Sequence, residues 1–169
     1  MNLPEPRWTQ SLPTKFVCDV ATLGPLGLRL PAPGTWGSLA GLLYTMMFFY
    51  RRDSLAAGAM MMLGLYVAVA FCGDAARRME RPDPGAVVLD EFMAMPLCFL
   101  FWRGGGGWPD WFVLLAGFAL FRFYDILKPF GIARLQKLPG GWGIVIDDAA
   151  AALATCVTLH VGAWLWTMR

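Results

Sequence analysis

The chain has 169 residues, of which 57 % are hydrophobic and 15 % charged, against about 25 % charged in an ordinary soluble domain. That excludes a disordered chain, and a formal net charge of +2 without a dominant basic patch argues against a nucleic-acid partner. A mean hydropathy of +0.52 makes an integral-membrane protein the leading class, of a size for one domain or one small bundle.

Residues 1–15 carry Pro4, Pro6 and Pro13 among polar neighbours and no apolar core, so they do not read as a cleavable signal. We take 1–23 as an N-terminal arm and 24–169 as a single domain. Five apolar segments follow, at about 38–50, 55–72, 87–102, 111–127 and 144–168. A full membrane crossing needs about 20 residues. The second, fourth and fifth segments reach that range. The connections carry helix-stopping chemistry: Arg51-Arg52-Asp53, then Arg77 to Gly85 with Pro82 and Pro84, then Gly104 to Gly107, then Lys128-Pro129, and finally Pro139-Gly140-Gly141. No segment alternates apolar and polar residues as a strand would. The expected fold is all-α, an integral-membrane helical bundle of about four to five apolar helices. Gly58, Gly64, Gly117, Ala150 and Ala154 are expected where helices approach closely.

If the five segments cross alternately, nine basic residues (Arg7, Lys15, Arg29, Arg77, Arg78, Arg81, Lys128, Arg134, Lys137) fall on one side and four (Arg51, Arg52, Arg103, Arg169) on the other. The positive-inside rule places the first side in the cytoplasm. Asp90, Glu91, Asp125, Asp147 and Asp148 then gather at that same face.

Those five acids lie within or against apolar runs, where a bare carboxylate costs several kcal/mol. Helix-end placement accounts for Asp147 and Asp148, and in part for Asp90 and Glu91, but not for Asp125 at a helix C-terminus. A shared cation accounts for all five, and an all-oxygen donor set suits Mg²⁺ with phosphate oxygens completing the shell. Arg122, Asp125 and Lys128 are spaced by three, which predicts a slanting helical stripe with members about 60° apart. Pro33 to Ser38 (PGTWGS) reads as a glycine turn before a helix, exposing N–H groups that attract phosphate, with hydroxyls at Thr35 and Ser38; plain capping is the simpler alternative. Gly140, Gly141 and Gly143 form a second glycine turn. His160 stands alone in the fifth segment and reads as a core residue. Cys18, Cys72, Cys98 and Cys156 are too scattered for a zinc site and read as buried free thiols.

Four blocks, PGTWGS (33–38), LDEF (89–92), FRFYDILKP (121–129) and GGWGIVIDD (140–148), occur in an order that resembles the phosphatidylglycerophosphatase A family, a bacterial lipid phosphatase family. The resemblance covers roughly residues 24–165. It implies an inner-membrane, Mg²⁺-dependent enzyme whose active site faces the cytoplasm and which removes the terminal phosphate of phosphatidylglycerophosphate to give phosphatidylglycerol. It also implies catalytic and metal-binding roles for Asp90, Glu91, Asp125, Asp147 and Asp148, and substrate binding by Gly34, Thr35, Gly37, Ser38, Arg122 and Lys128. The chain departs from the family pattern at Phe130-Gly131 and at Ala94 and Pro96, which touches packing rather than any proposed ligand. Two other readings are weighed. A CDP-alcohol phosphotransferase also sets aspartates at membrane-helix ends, but this chain has no Asp-Gly pair, and Asp147 and Asp148 are adjacent. A non-enzymatic membrane bundle or transporter would carry polar groups near the midplane, where His160 is the one candidate.

Overall fold

The computed structural model describes residues 4–52, 55–104 and 106–169, so Asp53 of the first connection and Gly105 of the glycine run lie outside the described residues. Among the described residues the chain is all-helical, with seven α-helices, three short 3-10 segments and no strand. Two short helices, α1 (Thr14–Ala21) and α2 (Pro25–Arg29), precede the apolar segments. The first of those segments forms α3 (Pro33–Phe48). It starts earlier than expected because Pro33 sits in its first turn, where a missing N–H breaks no helical bond. The PGTWGS block is therefore the opening of a helix and not a turn ahead of one. The second segment forms α4 (Leu55–Arg78), which runs past Cys72 to include Asp74, Arg77 and Arg78.

The third segment is broken. Its helix, α5 (Leu89–Ala94), gives way to a 3-10 stretch at Met95–Phe99. Pro96 is the cause, since it has no N–H to donate and its ring crowds the preceding turn. The last two segments form α6 (Asp110–Leu127) and α7 (Gly141–Thr167). Of the four to five apolar helices expected, two are long and apolar enough to cross a membrane among the described residues: α4 with 24 residues and α7 with 27. The fourth segment was expected to qualify as well, but the 18 residues of α6 include Asp110, Arg122 and Asp125.

The five segments nevertheless run alternately between two ends of the bundle. At one end Tyr50 donates its hydroxyl to Asp110 (2.9 Å), joining the end of α3 to the start of α6, and Trp108 lies 6.3 Å from Trp166 near the end of α7. At the other end Glu5 accepts from Arg77 on α4 (2.7 Å) and from the N–H of Gly141 at the start of α7 (3.2 Å). The arm packs at this second end. Val17 and Ala21 are fully buried, and Arg78 donates to the carbonyls of Thr9 and Leu12, to Thr14 and to Asp74.

Close approach of backbones shapes the core. A Cβ added at Gly141 would lie 2.0 Å from the carbonyl oxygen of Val69, and one at Gly117 2.4 Å from the Phe99 ring. Gly64 also makes a contact, to Met93, whereas Gly58 faces open space, and Ala150 and Ala154 are only half-buried. All four cysteines are free, with Cys72 and Cys98 buried and Cys18 and Cys156 half-buried. His160 packs its ring edge on Trp102 (5.3 Å), and its Nδ1 lies 2.9 Å from the Cys156 carbonyl oxygen.

Candidate active site

The acids converge where the sequence pattern brings them. Asp90 and Glu91 occupy the first turn of α5, a position a helix N-terminus favours. Asp147 and Asp148 lie two turns into α7. Asp125 lies in the last turn of α6, against the helix dipole, and Arg122 three residues earlier compensates by donating to its Oδ2 at 2.8 Å. The same Nη1 also donates to Glu91 Oε1 (2.9 Å) and to Ser38 Oγ (3.2 Å), tying α6 to α5 and α3.

Lys128 stays with Arg122 and Asp125 on one wall of the cavity and also reaches across to α7. It is the C-cap of α6 in the left-handed conformation (φ 44°), where the chain turns out of the helix. It pairs with Asp147 on α7 and stands 3.8 Å from Asp125. Its pKa is raised: burial works against the charged form, but the bond to Asp147 and the charges of Asp147, Asp148 and Asp125 outweigh it.

The glycines of α3 have a spatial role that the turn reading missed. A Cβ at Gly34 would lie 2.2 Å from Glu91 Oε1, and one at Gly37 2.7 Å from Val88 and 2.8 Å from Glu91 Oε2. They let α3 press against α5 and leave room for the Glu91 carboxylate. Ser38 is not a cap. It is buried inside the helix, donates to the Gly34 carbonyl (2.7 Å) and accepts from Arg122. Gly140, Gly141 and Gly143 likewise pack against Glu5, Val69 and Leu138.

A cavity of about 320 Å³ opens at this end, and Asp90, Glu91, Arg122, Asp125, Lys128, Asp147 and Asp148 all line it, with Gly34 and Thr35 from the start of α3. Gly37 and Ser38 stand behind that wall. Asp83 also lines the cavity, which the sequence reading overlooked by treating Arg77 to Gly85 as a helix break. The signal available there was an acid held between Pro82 and Pro84 just ahead of the Asp90-Glu91 pair.

Five buried or nearly buried carboxylates thus face two cations. Arg122 and Lys128 satisfy one oxygen each of Glu91, Asp125 and Asp147, and among the described residues three buried carboxylate oxygens are left without a partner: Asp90 Oδ1, Glu91 Oε2 and Asp147 Oδ1. Burial pushes the Glu91 carboxyl up to about 7, against the opposing pull of Arg122. Burial and the neighbouring Glu91 charge raise Asp90 too. Among the described residues no three of these side chains close into a chelate. The donor chemistry and the three unpaired oxygens nonetheless fit a hard cation.

Carboxylates beside a guanidinium and an ammonium in one cavity are the equipment of an enzyme that handles phosphoryl groups. Comparison with known proteins makes the class specific. Residues 20–163 match the phosphatidylglycerophosphatase A family, and the chain belongs to it. It is 37 % identical over 147 residues to phosphatidylglycerophosphatase A of Haemophilus influenzae, covering 82 % of this chain and 84 % of that protein. It is 32 % identical over 143 residues to phosphatidylglycerophosphatase A of Escherichia coli, covering 84 % of this chain and 80 % of that one. A Bacteroides thetaiotaomicron protein provisionally named phosphatidylinositol-3-phosphatase is 32 % identical over 139 residues, covering 79 % and 85 %. No solved structure matches the chain. Membership in a phosphatase family sets aside the phosphotransferase and the non-enzymatic bundle.

Proposed function

We propose that the protein hydrolyses the terminal phosphomonoester of phosphatidylglycerophosphate in a Mg²⁺-dependent reaction, giving phosphatidylglycerol and phosphate at the cytoplasmic face of the bacterial inner membrane. The observation that carries this reading is one cavity joining the start of α5, the end of α6 and the start of α7, where carboxylates and phosphate-binding cations meet. The names of the Haemophilus and Escherichia relatives supply the substrate. The length and apolarity of α4 and α7 support the membrane setting. The nine-to-four distribution of basic residues supports the cytoplasmic orientation.

In this reading Asp90, Glu91 and Asp147, each with a carboxylate oxygen that no protein group satisfies, would hold the ion, and Asp125 and Asp148 complete the negative wall. Mg²⁺ bound there would neutralise phosphate charge and lower the pKa of a water. Arg122 and Lys128 exchange their carboxylate partners in part for phosphate oxygens, with the guanidinium offering a planar pair of donors. Lys128 stays protonated through neutral pH, as its raised pKa requires. The first turn of α3 also lines this cavity, where the Gly34 N–H is available to a phosphate oxygen, while the Thr35 N–H is held by the Ala32 carbonyl. One of the carboxylates with a free oxygen accepts the proton of the attacking water. The acyl chains stay in the bilayer while the headgroup reaches a site at the helix ends.

The test is phosphate release from phosphatidylglycerophosphate by the detergent-solubilised protein, with Mg²⁺ or EDTA, beside Asp147→Ala and Asp147→Asn. We expect release that needs both the metal and Asp147. Equal release in EDTA, or full activity in both variants, would overturn the assignment. Phosphatidylinositol-3-phosphate should be assayed in parallel, since the name of the Bacteroides relative points to that headgroup.

A further inference from the structure

We propose that a second cavity beside the active site, reached by Arg81, is the subsite for the remainder of the lipid headgroup, its phosphodiester and free hydroxyl. The inference rests on the phosphatidylglycerophosphate reading and names how that substrate is told from other lipid phosphates. The second cavity has a volume of about 490 Å³ and shares Asp83 and Ile144 as common wall with the active-site cavity. Two arginines line it, Arg77 and Arg81. Arg77 is committed, to Glu5 at 2.7 Å and Asp74 at 3.3 Å. Arg81 is exposed, and no hydrogen bond or ion pair engages its guanidinium among the described residues. Its backbone is fixed, however. The Arg81 N–H donates to the Ala76 carbonyl (3.1 Å) beyond the end of α4, and Pro82 stiffens the next residue. An arginine on an anchored backbone, lining a cavity and free of protein partners, is a ready phosphate donor.

In the proposed arrangement the two adjoining cavities take successive parts of the headgroup. A phosphomonoester at Arg122 and Lys128 is followed by a three-carbon glycerol bearing one free hydroxyl, and then by a phosphodiester. Asp83 stands on the shared wall, where it repels a phosphate and accepts from a hydroxyl. Arg81 follows. Glu80 lines the second cavity as well, so that cavity does not gather anions in general. An anion there is favoured only at Arg81, in a cavity that adjoins the one holding the reacting phosphate. The chemistry recognised is therefore a pair of phosphates separated by a short hydroxylated linker, and Arg81 acts as a specificity residue that never touches the scissile bond.

The test compares wild type, Arg81→Gln and Arg81→Lys as full-length protein in detergent. Inorganic phosphate serves as a competitive inhibitor that needs only the monoester site. Loss of one charge-assisted contact should raise KM for phosphatidylglycerophosphate by about tenfold or more. We expect kcat within about twofold, unchanged inhibition by inorganic phosphate, and partial restoration of KM in Arg81→Lys. Because no side chain among the described residues engages the Arg81 guanidinium, Arg81→Gln should remain folded, as monodispersity would show. An unchanged KM would overturn the subsite. So would a loss of phosphate inhibition by the same factor, which would place Arg81 in the monoester site or reveal general damage. If the wild type releases no phosphate from this lipid at all, the proposed function fails, and the subsite with it; a KM failure in an active enzyme strikes the subsite alone.

Discussion

The two ends of the bundle each join an arginine to an aspartate of α6, and the two pairs have opposite settings. At the far end Arg51 meets Asp110 at 2.8 Å with both side chains about half exposed, at 48 % and 46 %. At the active end Arg122 meets Asp125 at the same 2.8 Å, but the side chains are 18 % and 11 % exposed and the guanidinium is shared with Glu91. Distance does not distinguish them. Water does: at the far end solvent screens the charges and can replace either partner, whereas at the active end only protein, ion or substrate can answer an unpaired oxygen. The far end instead carries a tryptophan cluster, with Trp102 6.5 Å from Trp108 and Trp108 6.3 Å from Trp166, which suits a membrane boundary.

The sharpest way to break this comparison is to neutralise the two aspartates in parallel. Asp125→Asn keeps the shape of the side chain but removes a charge shared by Arg122 and Lys128. Phosphate release should fall by at least about a hundredfold. Asp110→Asn should leave kcat and KM within about twofold. Similar losses in both variants would show that Asp125 acts through stability, and thermal denaturation of the two proteins would reveal it.

A second contrast uses one substitution at two glycines. Alanine is favoured over glycine in a helix by about 1 kcal/mol. At Gly58 on α4 a Cβ meets nothing within 4 Å, so Gly58→Ala should raise Tm by about 2–4 °C with activity unchanged. At Gly34 the same Cβ falls 2.2 Å from Glu91 Oε1. Gly34→Ala should displace that carboxylate and cost about tenfold or more in phosphate release, whatever helix propensity gains. An active Gly34→Ala would mean that Glu91 has room to move and does not need its present position.

How much of this was visible beforehand follows the range of the interactions. The helices could be read because an apolar run of suitable length is a local property, and the breaks at Pro82, Pro84, Pro129 and Gly140 are local as well. The gathering of Asp90, Glu91, Asp125, Asp147 and Asp148 at one end followed from simple alternation of the segments, and alternation survives even though Pro96 splits the third one. What escaped was decided by backbone direction or by contact between distant parts of the chain. Lys128 caps α6 with one left-handed residue and pairs with Asp147 on α7, a partner that the spacing by three does not show. Gly34 and Gly37 were read as a turn, and the structure adds that they admit the close approach of α5, some fifty residues away in the chain. Asp83 reaches the cavity only because the proline-bounded loop folds back over it.

The smallest expected effect tests the far end alone. Asp110 there accepts from Tyr50 and pairs with Arg51, and it also occupies the first turn of α6, where a negative charge is favoured. Three weak interactions therefore converge on one exposed carboxylate. Removing Arg51 deletes a screened pair of the kind worth about 0–1 kcal/mol, so Arg51→Ala should lower Tm by no more than about 3 °C at low salt and by less at high salt. Tyr50, whose pKa burial and the Asp110 bond push up to about 12, stays a hydrogen donor in the variant and keeps α3 joined to α6. A double-mutant cycle of Arg51→Ala with Asp110→Asn should return a coupling below about 1 kcal/mol. A much larger coupling, insensitive to salt, would mean that the far pair is shielded from water as the active pair is, and the contrast between the two ends would then have to rest on chemistry other than exposure.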